Sequence, residues 1–192
     1  MKKFFYLMSL CLCMFAGVAV MTSCGDDDDE VVDNGGKDNG GKEPAVAPAY
    51  VEMDFWFYAK GAPFGNGFAA QVITYEAGDE KNTEEAGSAA WHKSEPFKVK
   101  LPCTLKFARS FLVKLPQYFN LGGTFSYTLS YDGSYKLLDA DGNTIEGSEK
   151  TFEEVQLTVT DEPDNITAEK INNGTMDSEI IFKFDKDGNL VK

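Results

Sequence analysis

From Tyr50 onward, apolar and polar positions alternate with a period of two, the spacing of strands that turn one face to a core and the other to water. Val51, Met53, Phe55 and Phe57 share one face of a first strand, and Phe97, Val99 and Leu101 one face of another, with Lys98 and Lys100 opposite. Phe125, Tyr127, Leu129 and Tyr131 alternate with Ser and Thr. Val155, Leu157 and Val159 alternate with Gln and Thr, and Ile180, Phe182 and Phe184 close the series. Further strands are expected over 68–76, over 104–115 with a break or bulge around Ala108-Arg109-Ser110, and over 134–138. The dipeptides Asp132-Gly133, Asp141-Gly142 and Asp187-Gly188 predict three hairpin turns. No run of twelve or more residues in this region carries a helical period. The expected fold is all-β, about eight to nine strands in an antiparallel two-sheet β-sandwich of the Ig-like kind. A small lipocalin-like β-barrel is the alternative, because strand patterns do not tell closure from stacking.

Ahead of these strands the pattern changes twice. Lys2 and Lys3 precede an apolar run from Phe4 to Met21, the order of a secretory signal. At about 1.5 Å per residue that run reaches roughly 27 Å, short of the ~30 Å of a bilayer core, so an uncleaved span is the weaker reading. Thr22-Ser23-Cys24-Gly25 resembles the lipobox of bacterial lipoproteins, with Met21, Thr22 and Ser23 in place of the commoner residues. The resemblance implies cleavage after residue 23 and a diacylglyceryl thioether on Cys24, which would tie the chain to a membrane. Asp26, Asp27, Asp28, Asp29 and Glu30 then form a run of five acids. Its placement resembles the export signal of Bacteroidetes-type surface lipoproteins, which implies the outer face of the cell outer membrane as the address. Residues 33–42 repeat DNGGK twice and lead through Glu43-Pro44 and Pro48 into the first strand. Residues 24–49 thus read as a lipidated cysteine plus a flexible linker, and 50–192 as one domain.

Charge and cysteine content narrow the partners. Without the first 23 residues, 16 basic residues face 31 acidic ones. So acidic a surface repels phosphate backbones and disfavours nucleic acid. Cys11 and Cys13 fall in the signal segment and Cys24 carries the lipid, leaving Cys103, beside Pro102 in an apolar stretch, as a buried inert thiol.

Candidate chemistry is sparse. His92 is the single histidine, and the nucleophile-elbow, phosphate-loop, dinucleotide and zinc-protease motifs are missing. No catalytic residue and no cofactor is assigned. Hydrolysis by two facing carboxylates is the enzymatic reading, requiring a separation of about 5 to 9.5 Å. Asp139-Asp141-Gly142-Asn143 and Asp185-Asp187-Gly188-Asn189 repeat a pattern with the oxygen ligands of a calcium loop. Neither has the glycine and distal acid of an EF-hand, and turn chemistry explains both. The stronger signal is aromatic. Opposite the apolar face of the first strand, Glu52, Asp54, Trp56 and Tyr58 line up two carboxylates with two flat rings. Sugar rings bind such surfaces, C–H groups against the aromatic face and hydroxyls to acids. Trp91 and His92, at the end of the polar segment 77–95, add a candidate binding loop. The expectation is a non-enzymatic surface module for a glycan or a partner protein of an uptake complex. A structural or adhesive module working by strand pairing is the alternative.

Overall fold

The computed structural model describes residues 46–87 and 89–191. The signal segment, Cys24, the acidic run and the linker up to residue 45 lie outside them. Ten strands are present: β1 (Tyr50–Gly61), β2 (Ala69–Ala77), β3 (Glu80–Ala86), β4 (Ala90–His92), β5 (Phe97–Lys100), β6 (Cys103–Val113), β7 (Thr124–Leu138), β8 (Lys150–Pro163), β9 (Ser178–Phe184) and β10 (Leu190–Val191). Among the described residues a short 3-10 turn, Pro116–Phe119, precedes β7, and one α-helix, α1 (Asp164–Asn172), follows β8. All pairings are antiparallel and the strands form two open sheets, a β-sandwich and not a closed barrel.

In the first sheet β7 lies between β1 and β8, and β4 and β5 share the other edge of β1. The second sheet runs β10-β9-β6-β2-β3. The period-two reading of β1 holds residue by residue: Val51, Met53, Phe55, Phe57 and Ala59 are at most 1% exposed. The first four meet Ile73, Tyr75, Leu105 and Phe107 of the second sheet, where Phe55 and Phe107 stack with centroids 4.1 Å apart. Each side chain so buried contributes on the order of 1.5–3 kcal/mol. A second core lobe gathers Phe64, Phe111, Phe119, Phe125 and Tyr127 with Ile171 of α1 and Met176. Asp164 ties α1 to the loop before β7 by accepting the backbone N–H groups of Leu121 and Gly123.

Between the two lobes lies Arg109, 1% exposed. Its guanidinium is 4.7 Å from the Phe57 ring in one lobe and 5.4 Å from Phe111 in the other. It reaches across the sandwich to donate to the carbonyls of Tyr58 (2.8 Å) and Ser130 (3.3 Å) and to Gln156 Oε1. Among the described residues no carboxylate hydrogen-bonds to it, and burial drops its pKa to about 10.

β6 pairs with β2 without interruption from Leu105 to Val113, so Ala108-Arg109-Ser110 holds no bulge. The bulge is in β8 instead: Leu129 pairs with Leu157 and Ser130 with Val155, leaving Gln156 over. That extra residue swings the Gln156 amide onto Arg109 and turns Val155, 57% exposed, out of the face it was expected to share with Leu157 and Val159. A second register shift falls between Phe125 and Tyr127, opposite Asp161 in the left-handed region at φ 51°. Asp132-Gly133 is not a hairpin, and 134–138 is not a separate strand, because both lie within the continuous fifteen-residue β7. Gly133 serves close packing there. A Cβ would come within 2.2 Å of the Asp54 carbonyl oxygen and 2.7 Å of the Phe152 ring. The polar segment 77–95 is no long loop either, since it contains β3 and β4. The other two dipeptides do turn the chain, Asp139 N–H donating to the Asn143 carbonyl and Asp185 N–H to that of Asn189.

Candidate functional site

The outer face of the first sheet can be read row by row from the pairing. Lys98 and Lys136 flank Glu52, Ser134 flanks Asp54, His92 and Asp132 flank Trp56, and Ser130 flanks Tyr58. On the far side of β7, Thr151 faces Ser134 and Glu153 faces Asp132. Five of the six expected binding residues, Glu52, Asp54, Trp56, Tyr58 and His92, therefore share this face.

The aromatic groups are ordered as parallel plates. The Trp56 indole stacks on the His92 imidazole with centroids 3.7 Å apart and planes within 9°, and lies within 5° of parallel to Tyr58 at 6.1 Å. His92 thereby covers part of one indole face. His92 Nε2 is 2.5 Å from Asp54 Oδ1, a hydrogen bond that fixes the ring against the indole. The Tyr58 hydroxyl donates to Asp132 Oδ1 at 3.3 Å; burial first and the Asp132 charge second hold its pKa above the ordinary tyrosine value. Lys60 Nζ is 4.7 Å from the Tyr58 ring centre, and Lys136 pairs with Glu52 at 2.8 Å.

Two adjoining depressions lie on this surface. One, of about 480 Å³, is lined by Asp54, Trp56, Asp132, Ser134, Thr151 and Glu153, together with Gly133 and Phe152. Its volume is within the roughly 300–1,000 Å³ of small-ligand sites, although it is an open trough and not an enclosed cavity. The other, of about 170 Å³, shares Asp54 and Ser134 and continues toward Glu52, Lys136 and Glu149.

Comparison with protein-family models, with curated proteins and with solved structures finds no match to this chain. The site must therefore be read from its own geometry.

Trp91 does not belong to it. One residue before His92 on a strand, it points the opposite way, is 5% exposed, and packs between the sheets near Phe57 and Tyr75. Its indole N–H donates to Glu84 Oε2 at 3.1 Å, so the buried donor is satisfied internally. Trp91 is a core residue, not a ligand contact. The members that sequence reasoning missed, Asp132, Ser134, Thr151 and Glu153, all come from β7 and β8. Their only signal was their parity along those strands, which the expected turn at Asp132-Gly133 concealed.

The remaining candidates resolve into local structure. In both D-x-D-G-N loops the first carboxylate accepts backbone N–H groups of its own turn, Asp139 from Asp141 and Asn143, and Asp185 from Asp187 and Asn189. Their Asn143 and Asn189 amides donate to the same carboxylates, which lowers the pKa of each aspartate. Among the described residues no three His, Cys, Asp or Glu side chains cluster as metal ligands. Cys103 is partly buried, and burial pushes its thiol up to about 11. Few thiolates form there at neutral pH.

Proposed function

We propose that this protein is a non-enzymatic surface lipoprotein of the outer membrane, held by lipid on Cys24, whose sandwich binds an extracellular glycan on the outer face of its first sheet. The single observation that carries the binding role is the Trp56 plate set beside Asp54, Asp132 and Glu153 in an open trough. Rings standing among unburied acceptors suit a ligand with one apolar face and a rim of hydroxyls. The address rests on the apolar run, Cys24 and the acids Asp26 to Glu30.

The adhesive reading draws on β8, fourteen residues long and paired with β7 alone among the described residues. Its two register shifts and its Lys150, Glu153, Glu154, Asp161 and Glu162 are what edges use to refuse another strand, so glycan binding is the better supported role.

The binding reading is tested with protein purified in detergent from cells expressing the full chain, titrated with a panel of polysaccharides while its tryptophan fluorescence is followed. A saturable change that disappears in Trp56→Ala and survives in Trp91→Phe is expected. A flat response across the panel from folded protein would sink the reading. The address is tested separately by fatty-acid labelling, which Cys24→Ala should abolish, and by protease access on intact cells, which replacing the five acids by alanine should reduce.

A further inference from the structure

The two ends of the outer face differ in charge. At the Tyr50 end acids and bases alternate, with Lys98 and Lys136 on either side of Glu52 and Lys136 in direct ion pairing with it. At the Trp56 end the trough is lined by three carboxylates, Asp54, Asp132 and Glu153, and by no lysine or arginine. Among the described residues only His92 pairs with one of them, through Asp54. Asp132 and Glu153 thus stand beside the indole with no cationic partner among the described residues. Glu153 enters no ion pair among the described residues, and the partner of Asp132 is the neutral Tyr58 hydroxyl. Folding would favour a lysine beside such a set, as it has one beside Glu52. A face that keeps the acids bare next to a flat ring is complementary to a ring-shaped ligand that brings the cation itself.

We propose that the trough selects a saccharide carrying protonated amino groups, a polymer of unacetylated amino sugar, over neutral and acidic glycans. The inference rests on the glycan reading of this face and narrows it. The sugar ring packs against the part of the Trp56 indole that lines the trough and that His92 and Tyr58 leave uncovered. An ammonium on the ring meets Asp132 and Glu153, and neighbouring hydroxyls meet Ser134 and Thr151. The bound ammonium gains both charge pairing and proximity to an aromatic face. A uronic-acid polymer is repelled by the same groups, and the acidity of the whole chain repels it at longer range.

The test uses the full-length protein in detergent, titrated with a chitosan oligosaccharide, the fully N-acetylated oligomer of the same length, a neutral glucan oligomer, polygalacturonate and oligolysine. The chitosan oligomer is expected to bind about tenfold or more tightly than its acetylated counterpart, with affinity falling as salt is raised. Glu153→Gln, at an outward position without an ion pair, should weaken chitosan binding severalfold while leaving the fold intact, and Trp56→Ala should remove it. Equal binding of acetylated or neutral oligomers, abolished by Trp56→Ala, would overturn the amino-sugar assignment and leave the glycan reading standing. Oligolysine binding as well as chitosan, or chitosan binding that survives Trp56→Ala, would show charge without ring recognition and overturn it too. No binding of any saccharide would remove both.

Discussion

The molecule holds polar groups against the same stretch of β1 and β7 in two different ways. Behind the sheet, Arg109 reaches the Tyr58 and Ser130 carbonyls and Gln156 in the layer between the lobes. In front of it, the Tyr58 ring and hydroxyl, Trp56, Asp132 and Glu153 stand at a wet surface, with several acceptors left unused. The inner set is built like an internal strut, a buried cation whose partners are backbone oxygens and an amide supplied by a bulge. The outer set leaves capacity free, which is what a surface needs if something else is to complete it. Tyr58 belongs to both, its carbonyl inward and its ring outward. A position that looks like a binding contact from one side is a support from the other.

The contrast breaks most sharply at Arg109. Arg109→Ala should cost about 3–5 kcal/mol, because it removes three hydrogen bonds of a buried side chain at once and opens a void between the lobes. Urea unfolding measures it, and a loss below about 1 kcal/mol would deny Arg109 its supporting role. Gly133→Ala comes next, at about 1–3 kcal/mol, since its Cβ has to displace the Phe152 ring and the Asp54 carbonyl. Because Asp54 belongs to the outer face, this change should also lower ligand affinity, which Arg109-independent packing alone would not do. Trp56→Ala should change stability by only about 1 kcal/mol or less while erasing binding. A stability loss as large as that of Arg109→Ala would make Trp56 structural and collapse the distinction.

The smallest effect is expected at alkaline pH. Burial raises Tyr58, and burial followed by the Glu154 hydrogen bond takes Tyr131 up to about 12. A hydroxyl whose pKa is higher in the folded than in the unfolded chain adds stability that is whole below the unfolded value of about 10. For Tyr131 that contribution is lost as pH rises from there through about 12. An absorbance titration of the native protein should show part of the tyrosine ionising late, and unfolding should merge it with the rest near about 10.

What sequence could and could not reveal follows from these same residues. β1 was legible on both faces, because its burial alternates from Tyr50 to Ala59 and nothing shifts its register. β8 was not, since a single extra residue at Gln156 exchanges inside for outside partway along it. Asp132-Gly133 looks like a turn because that pair favours left-handed backbone, yet this glycine is there for the space it leaves beneath aromatic rings. Arg109 looked like a fault in an apolar strand, and only the opposite sheet explains a charge at that position. Trp91 and His92 face opposite ways on a three-residue strand too short to detect by period, so parity could not choose between them. The candidate site was half visible for the same reason: its β1 row is a local pattern, and its β7 and β8 rows depend on pairings remote in sequence.

The position of β1 in its sheet also has a mechanical side. Any pull transmitted through the residues before Tyr50 enters the domain along β1, which is bonded to β7 over twelve residue pairs on one flank and to β5 and β4 on the other. Tension along that axis acts on both ladders in shear, so many hydrogen bonds share the strain at once and cannot be opened one at a time, as they would be in peeling an edge strand. Were the chain held through those residues, the load would fall on both ladders of β1 together and on no edge strand.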